Sequence, residues 1–170
     1  MGGQAAGQGA KRAQALALGI VAGMRSQMPL ALLAVAADRH SRFAGPGRAW
    51  DLLDSPKAPI LTGLLALGEV VGDKLPATPS RLEPVPLAGR LLFGSVAGAV
   101  VVGQSRDGRW RGAALGAAGA VIGAYGGYHA RAALREATGV PDPVWGAVED
   151  VIALGLGVLA LALELGLGRR

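Results

Sequence analysis

The chain has 170 residues and a mass of 17.0 kDa; 51% of the residues are hydrophobic and only 17% are charged. Mean hydropathy is +0.39 and the formal net charge is +5. Soluble domains carry about a quarter of their residues as charges, so this composition argues against disorder and against a water-soluble enzyme of ordinary design. The absence of cysteine excludes disulfides and thiolate chemistry.

Taken in chain order, Met1–Ala10 is rich in Gly, Ala and Gln. Residues 1–12 are expected to form a flexible tail, and residues 13–168 a single transmembrane domain. Lys11 and Arg12 before an apolar run, with Ala34-Val35-Ala36 further on, imitate a secretory signal. Arg25, Ser26 and Gln27 interrupt that run, and uncut it is as long as a membrane span. A retained segment is therefore expected.

A span needs about 20 mostly apolar residues, and five segments are candidates. They are Ala13–Ala37, Pro59–Leu75, Leu87–Gln104, Gly112–Leu134 and Val144–Leu167. None alternates in the manner of a barrel strand. The fold class expected is all-α, an integral membrane protein of about five helices. The first segment is expected to break at Gly23–Pro29, and the fourth at Gly126-Gly127-Tyr128-His129. Asp38–Pro59 and Leu75–Pro86 read as loops. The first holds a short surface helix near Ala49–Leu53; the second is kept extended by four prolines. Pro143 suits the first turn of the last helix.

Glycines recur every three or four residues in the fourth segment, at Gly112, Gly116, Gly119, Gly123 and Gly127. Gly19 with Gly23, and Gly94 with Gly98, repeat the pattern. Tight helix packing is the simplest reading, because lipid gives helices no hydrophobic reason to associate. Gly19–Arg25 and Gly119–Tyr125 are also alike, and segments two and five each contain a glutamate, Glu69 and Glu149. That pattern suggests an inverted-topology repeat, as in many small transporters. Five spans divide the Lys and Arg residues almost evenly between the two sides, which leaves orientation open.

Ionisable side chains within spans are costly, and they are functional candidates by default. Arg25 lies about twelve residues into the first segment, close to mid-membrane at a rise of 1.5 Å per residue. Its available partners are Glu69, Asp73, Glu149 and Asp150. Ser26 and Gln27 accompany it in the break, Lys74 follows Asp73 at the end of the second segment, and His129 sits in the fourth. These nine residues form the expected substrate site. They read either as a polar cavity or as an ion pair locking the helices. Trp50, Trp110 and Trp145 lie near segment ends, where an aromatic belt accounts for them. No hydrolase elbow, Walker loop, dinucleotide fingerprint or zinc motif is present, so no enzyme activity, metal or cofactor is expected.

Gly23-Met24-Arg25 with Pro29-Leu30, Glu69 with Asp73-Lys74-Leu75-Pro76, Pro86-Leu87-Ala88-Gly89 and Glu149-Asp150 together resemble the small bacterial membrane proteins grouped as domain of unknown function 4126. The likeness runs over about residues 13–165. It implies a multi-pass bacterial inner-membrane protein, and it assigns no activity. Arg81 makes the stretch after Pro76 more basic than the resemblance leads one to expect. The leading function is a small carrier or channel for a small solute, with an anion the class that Arg25 would hold. The alternative is a structural or accessory subunit of a membrane complex. The partners expected are the bilayer, the solute and a second copy in a homo-oligomer, with no nucleic acid.

Overall fold

Runs of Ala, Leu, Val and Gly, punctuated by proline and short polar turns, leave the backbone one way to satisfy itself away from water, the helix. The computed structural model describes residues 2–39, 55–72, 80–103 and 106–167. Among them are six helices and no strand: α1 (Gly2–Met24), α2 (Met28–Arg39), α3 (Ala58–Gly72), α4 (Pro84–Val102), α5 (Arg106–Thr138) and α6 (Asp142–Leu167).

Several boundaries differ from the sequence expectation. Helix α1 begins at Gly2, inside the stretch expected to be a loose tail; its Ala and Gln residues favour helix enough to offset the glycines. Pro84 and Pro86, expected in a loop, open α4, where a missing N–H leaves no bond unmade. The break expected at Gly126–His129 is absent, and α5 runs unbroken for 33 residues. Glycine in a helix interior costs only about 1 kcal/mol relative to alanine, and no proline stands there. With no second break, the proposed correspondence between the two halves does not extend to broken helices. The helix expected at Ala49–Leu53 lies outside the described residues.

The first segment does break, at Arg25–Gln27, but the break is a reversal. A Cβ built on Gly157 of α6 would touch both Val21 of α1 and Leu32 of α2. One core cluster joins Leu18 of α1 to Leu33, Ala34 and Ala37 of α2 and to Ala160 and Leu161 of α6. Helix α2 therefore returns along the levels that α1 has climbed. Ala13–Ala37, expected as one kinked span, is a hairpin with Arg25 at its tip.

Three helices are drawn together by glycine. A Cβ at Gly19 of α1 would fall on the Gly116 carbonyl of α5; one at Gly98 of α4 would fall on that of Gly112. A Cβ at Gly116 itself would strike the carbonyl of Gly94. With a Cβ at Gly23 falling on the Ala120 carbonyl, these pairings make α1 parallel and α4 antiparallel to α5. At its far end α5 stops at Gly139, whose φ of +67° suits glycine; its N–H donates to the Arg135 carbonyl at 3.0 Å.

Beside this apolar core, the distribution of side chains departs from that of a water-soluble globule at both extremes, with charges buried and large apolar side chains exposed. Arg25 is 1% exposed, and Arg81, Arg90 and Glu149 are also buried, while Ile60, Leu64, Val151 and Leu159 are exposed. Two helices, Pro84–Val102 and Asp142–Ala162, are long and apolar enough to cross a membrane. Met28–Ala37 and Ala58–Val71 are shorter apolar helices. Against the five spans expected, the first segment is a hairpin and α3 has only 15 residues.

Candidate functional site

The hairpin tip creates an electrostatic problem that three other helices solve. Helix α1 ends with unsatisfied carbonyls, and α2 begins with unsatisfied N–H groups. Arg90 of α4 donates from Nη1 to the carbonyls of Gly23 (3.1 Å) and Met24 (3.0 Å). Arg25 Nη1 also donates to Met24 O at 3.3 Å. Glu69 of α3 accepts the N–H of Ser26 at 2.8 Å and that of Gln27 at 3.0 Å. A cationic group thus meets a helix C-terminus and an anionic one a helix N-terminus, each the favourable sign for the helix dipole. Arg90 and Glu69 also face each other at 3.4 Å.

Beside the tip lies a second set of charges. Arg25 Nε pairs with Asp150, and Arg25 Nη2 reaches Gly146 O at 3.4 Å and Glu149 at 4.0 Å. Arg81 clasps Glu149 with both terminal nitrogens, Nη1 to Oε1 and Nη2 to Oε2 at 2.8 Å. Arg131 of α5 stands 3.7 Å from Glu149 and holds Asp142 through Nε at 2.8 Å and through Nη2. Four arginines therefore face four carboxylates in one connected cluster. Glu149 is its hub, a single carboxylate with three guanidiniums around it.

Local sequence makes room for this cluster. Ser80 N–H donates to Glu83 Oε1 at 2.9 Å, and Glu83 N–H to Ser80 O at 2.9 Å. That tight turn ahead of α4 carries Arg81 inward. A Cβ on Gly127 would stand 2.5 Å from Glu149 Oε1 and 3.1 Å from Arg81 Nη1. A Cβ on Gly146 would stand 3.2 Å from Arg131 Nη2. Both glycines leave space that guanidiniums and carboxylate fill. Next to the hub is a cavity of about 90 Å³, lined by Met24, Gly127, Arg131, Trp145, Glu149 and Ile152 among others. One water needs roughly 10–15 Å³, so several waters or a small solute have room, between walls that are mostly apolar, with Ala130, Leu134 and Val148 completing them. Trp145 Nε1 is buried there with no acceptor. No three Asp, Glu or His side chains among the described residues are grouped so as to hold a metal ion.

The domain of unknown function 4126 family matches residues 13–165. The chain belongs to that family. No curated relative and no solved structure matches it. The short motifs that carried the resemblance lie apart in this family member's sequence, yet most of them meet at the cluster. Gly23-Met24-Arg25 is the hairpin tip, Glu69 caps α2, Glu149-Asp150 is the hub, and Pro86–Gly89 opens the helix that carries Arg90.

Of the nine expected site residues, Arg25, Glu69, Glu149 and Asp150 are brought together by their side chains. Ser26 and Gln27 join them through backbone N–H groups. His129 is not among them: it is exposed on α5, with its ring edge-on to Tyr128 at 5.3 Å. Asp73 and Lys74 lie outside the described residues. Sequence reasoning missed Arg81, Arg90, Arg131 and Asp142. Arg90 and Arg131 fall inside the third and fourth apolar segments, so the rule that singled out Arg25 applies to them as well. Arg81, in a proline-rich loop, gave no such signal.

Proposed function

We propose that this is a multi-pass protein of the bacterial inner membrane that carries a small monovalent anion through the arginine cluster. The observation that carries the reading is Glu149, a carboxylate held by Arg25, Arg81 and Arg131 beside a cavity with an unmatched indole donor. That is the coordination a solute carboxylate or halide would receive, and the glutamate's own carboxylate occupies it. When Glu149 yields its place, an anion of formate or chloride size fits the guanidiniums and the cavity. No bond is made or broken in this process, so the protein acts as a carrier and not as an enzyme.

The reversal of α2 supports a topology of its own. Helices α1 and α2 enter and leave from one side, and α3 to α6 alternate across the bilayer. Among the described residues, Lys11, Arg12, Lys57, Arg109 and Arg111 then lie towards the end where the chain begins. By the positive-inside rule that end is cytoplasmic.

Flux into liposomes tests the reading. Vesicles holding the protein should take up formate or chloride, and Arg81→Gln and Arg131→Gln should each slow uptake at least about tenfold with insertion intact, as for loss of one charge-assisted bond. In a Trp50→Phe, Trp110→Phe background, the same anions should change Trp145 fluorescence. A folded protein showing neither flux nor a spectral change would overturn the proposal.

A further inference from the structure

A larger cavity than the one beside the hub lies far from the arginine cluster, at the opposite end of the bundle. It has a volume of about 420 Å³ and is lined by Gln8, Lys11 and Arg12 of α1, Val102 of α4, and Asp107, Gly108 and Arg111 of α5. That volume falls within the range of small-molecule sites and exceeds what a lone inorganic ion needs. Its charge is lopsided. Lys11, Arg12 and Arg111 supply three cationic groups against one carboxylate, Asp107, which lies 3.2 Å from Arg111 and orients it. The cations come from two helices, Lys11 and Arg12 from α1 and Arg111 from α5. Val102 gives an apolar floor, and Gln8 can add an amide donor. On the adjoining turn Trp110 is 71% exposed, as expected of a side chain at the headgroup level of a bilayer.

We infer that this cavity binds a phosphate group, and that its size and place at the bilayer interface suit the phosphodiester of an anionic lipid headgroup. Lys11 and Arg12 would meet the phosphate oxygens, Arg111 would add a second guanidinium contact, and Gln8 would hydrogen-bond the glycerol hydroxyls. Anionic lipids concentrate on the cytoplasmic leaflet, where their surface potential attracts juxtamembrane cations. The inference rests on the membrane topology proposed above but not on anion transport.

Native mass spectrometry of the whole protein, purified in detergent with mixed phosphatidylglycerol and phosphatidylcholine, tests this. Retained phosphatidylglycerol in preference to phosphatidylcholine, reduced about tenfold in Lys11→Gln/Arg12→Gln, as for loss of a charge-assisted hydrogen bond, and unchanged in Arg135→Gln at the far end of α5, supports a lipid site. A second arm measures thermal unfolding with inorganic phosphate alone. Stabilisation by phosphate that the same double variant abolishes, without lipid preference, assigns the site to free phosphate, and so keeps the phosphate chemistry while removing the lipid. Equal retention of both lipids with no phosphate effect overturns the inference. So does a preference that Lys11→Gln/Arg12→Gln leaves intact. Circular dichroism in phosphatidylcholine confirms that the double variant is folded; both side chains lie near the surface of α1, so its helix content should not change.

Discussion

At the scale of single residues, the cluster sets unequal consequences for its members. Glu149 faces three guanidiniums, and removing one partner of a buried ion pair commonly costs roughly 3–5 kcal/mol. Glu149→Ala should therefore lower the thermal midpoint in detergent far more than Asp142→Ala, whose side chain is 43% exposed. Glu149→Gln keeps the shape and part of the hydrogen bonding, and should fall between the two. Glu69→Ala should cost about 1–2 kcal/mol, as expected for loss of a helix cap. Glu69→Gln should restore part of that, because its amide oxygen can still accept one N–H. Equal losses for Glu149→Ala and Asp142→Ala would show that Glu149 is not the hub.

At the scale of elements, glycine decides which helices touch. Gly116 and Gly126 share a helix and have opposite surroundings. A Cβ at Gly116 meets the backbone of Gly94 and lies 3.3 Å from the Gly98 Cα, while one at Gly126 meets nothing within 4 Å. Gly116→Ala should destabilise by about 1–3 kcal/mol through forced separation of α4 and α5. Gly126→Ala should be neutral, or stabilise by up to about 1 kcal/mol. Melting curves of the two variants measure the contrast directly. The close packing of these glycines was legible in the sequence, because a three-and-four spacing has one geometrical meaning on a helix. The positions of most helices were legible for the same reason. The reversal after Arg25 was not: a polar interruption of an apolar run looks the same whether the chain continues or turns back. Only the partners choose between these outcomes, and Glu69, Arg90 and Asp150 come from 44 to 125 residues further along the sequence. The cluster was half legible, since Arg25, Glu69, Glu149 and Asp150 stand out in apolar surroundings. Arg81 does not, because its role arises from a turn that carries it inward.

At the scale of the whole molecule, the hairpin changes which end of the bundle the N-terminal region shares. A straight first segment would put the N-terminal region and Ser55 at opposite ends of the helix bundle; the reversal puts them at the same end, and in the proposed topology on the same side of the bilayer. The protein has no native cysteine, so single substitutions report without interference. Gly9→Cys and Ser55→Cys should both react with an impermeant maleimide only in inside-out vesicles. Glu136→Cys, at the other end of α5, should react only in intact spheroplasts. Labelling of Ser55→Cys from the side opposite to Gly9→Cys would restore the straight span and remove the hairpin topology. Under this arrangement most described Lys and Arg residues outside the cluster fall at the end of the bundle where the chain begins; the nearly even division with five spans counted the buried Arg81 and Arg90 as loop residues.

The pairing of Arg25 with Asp150 joins residues 125 positions apart in the chain, and this has a consequence for how the protein is made. Helices α1 and α2 leave the ribosome long before α6 does. Until α6 is synthesised, the hairpin tip has its neighbours from α3 and α4 but lacks the carboxylates of Glu149 and Asp150. A nascent chain stopped after Thr138 holds Arg25, Arg81 and Arg131 without those counter-charges, in surroundings that penalise unpaired ions. The arrival of α6 supplies Asp142, Glu149 and Asp150 together, and so brings the arginines of the cluster the counter-charges that the earlier helices leave missing. Chains lacking it should be the ones that membrane proteases remove.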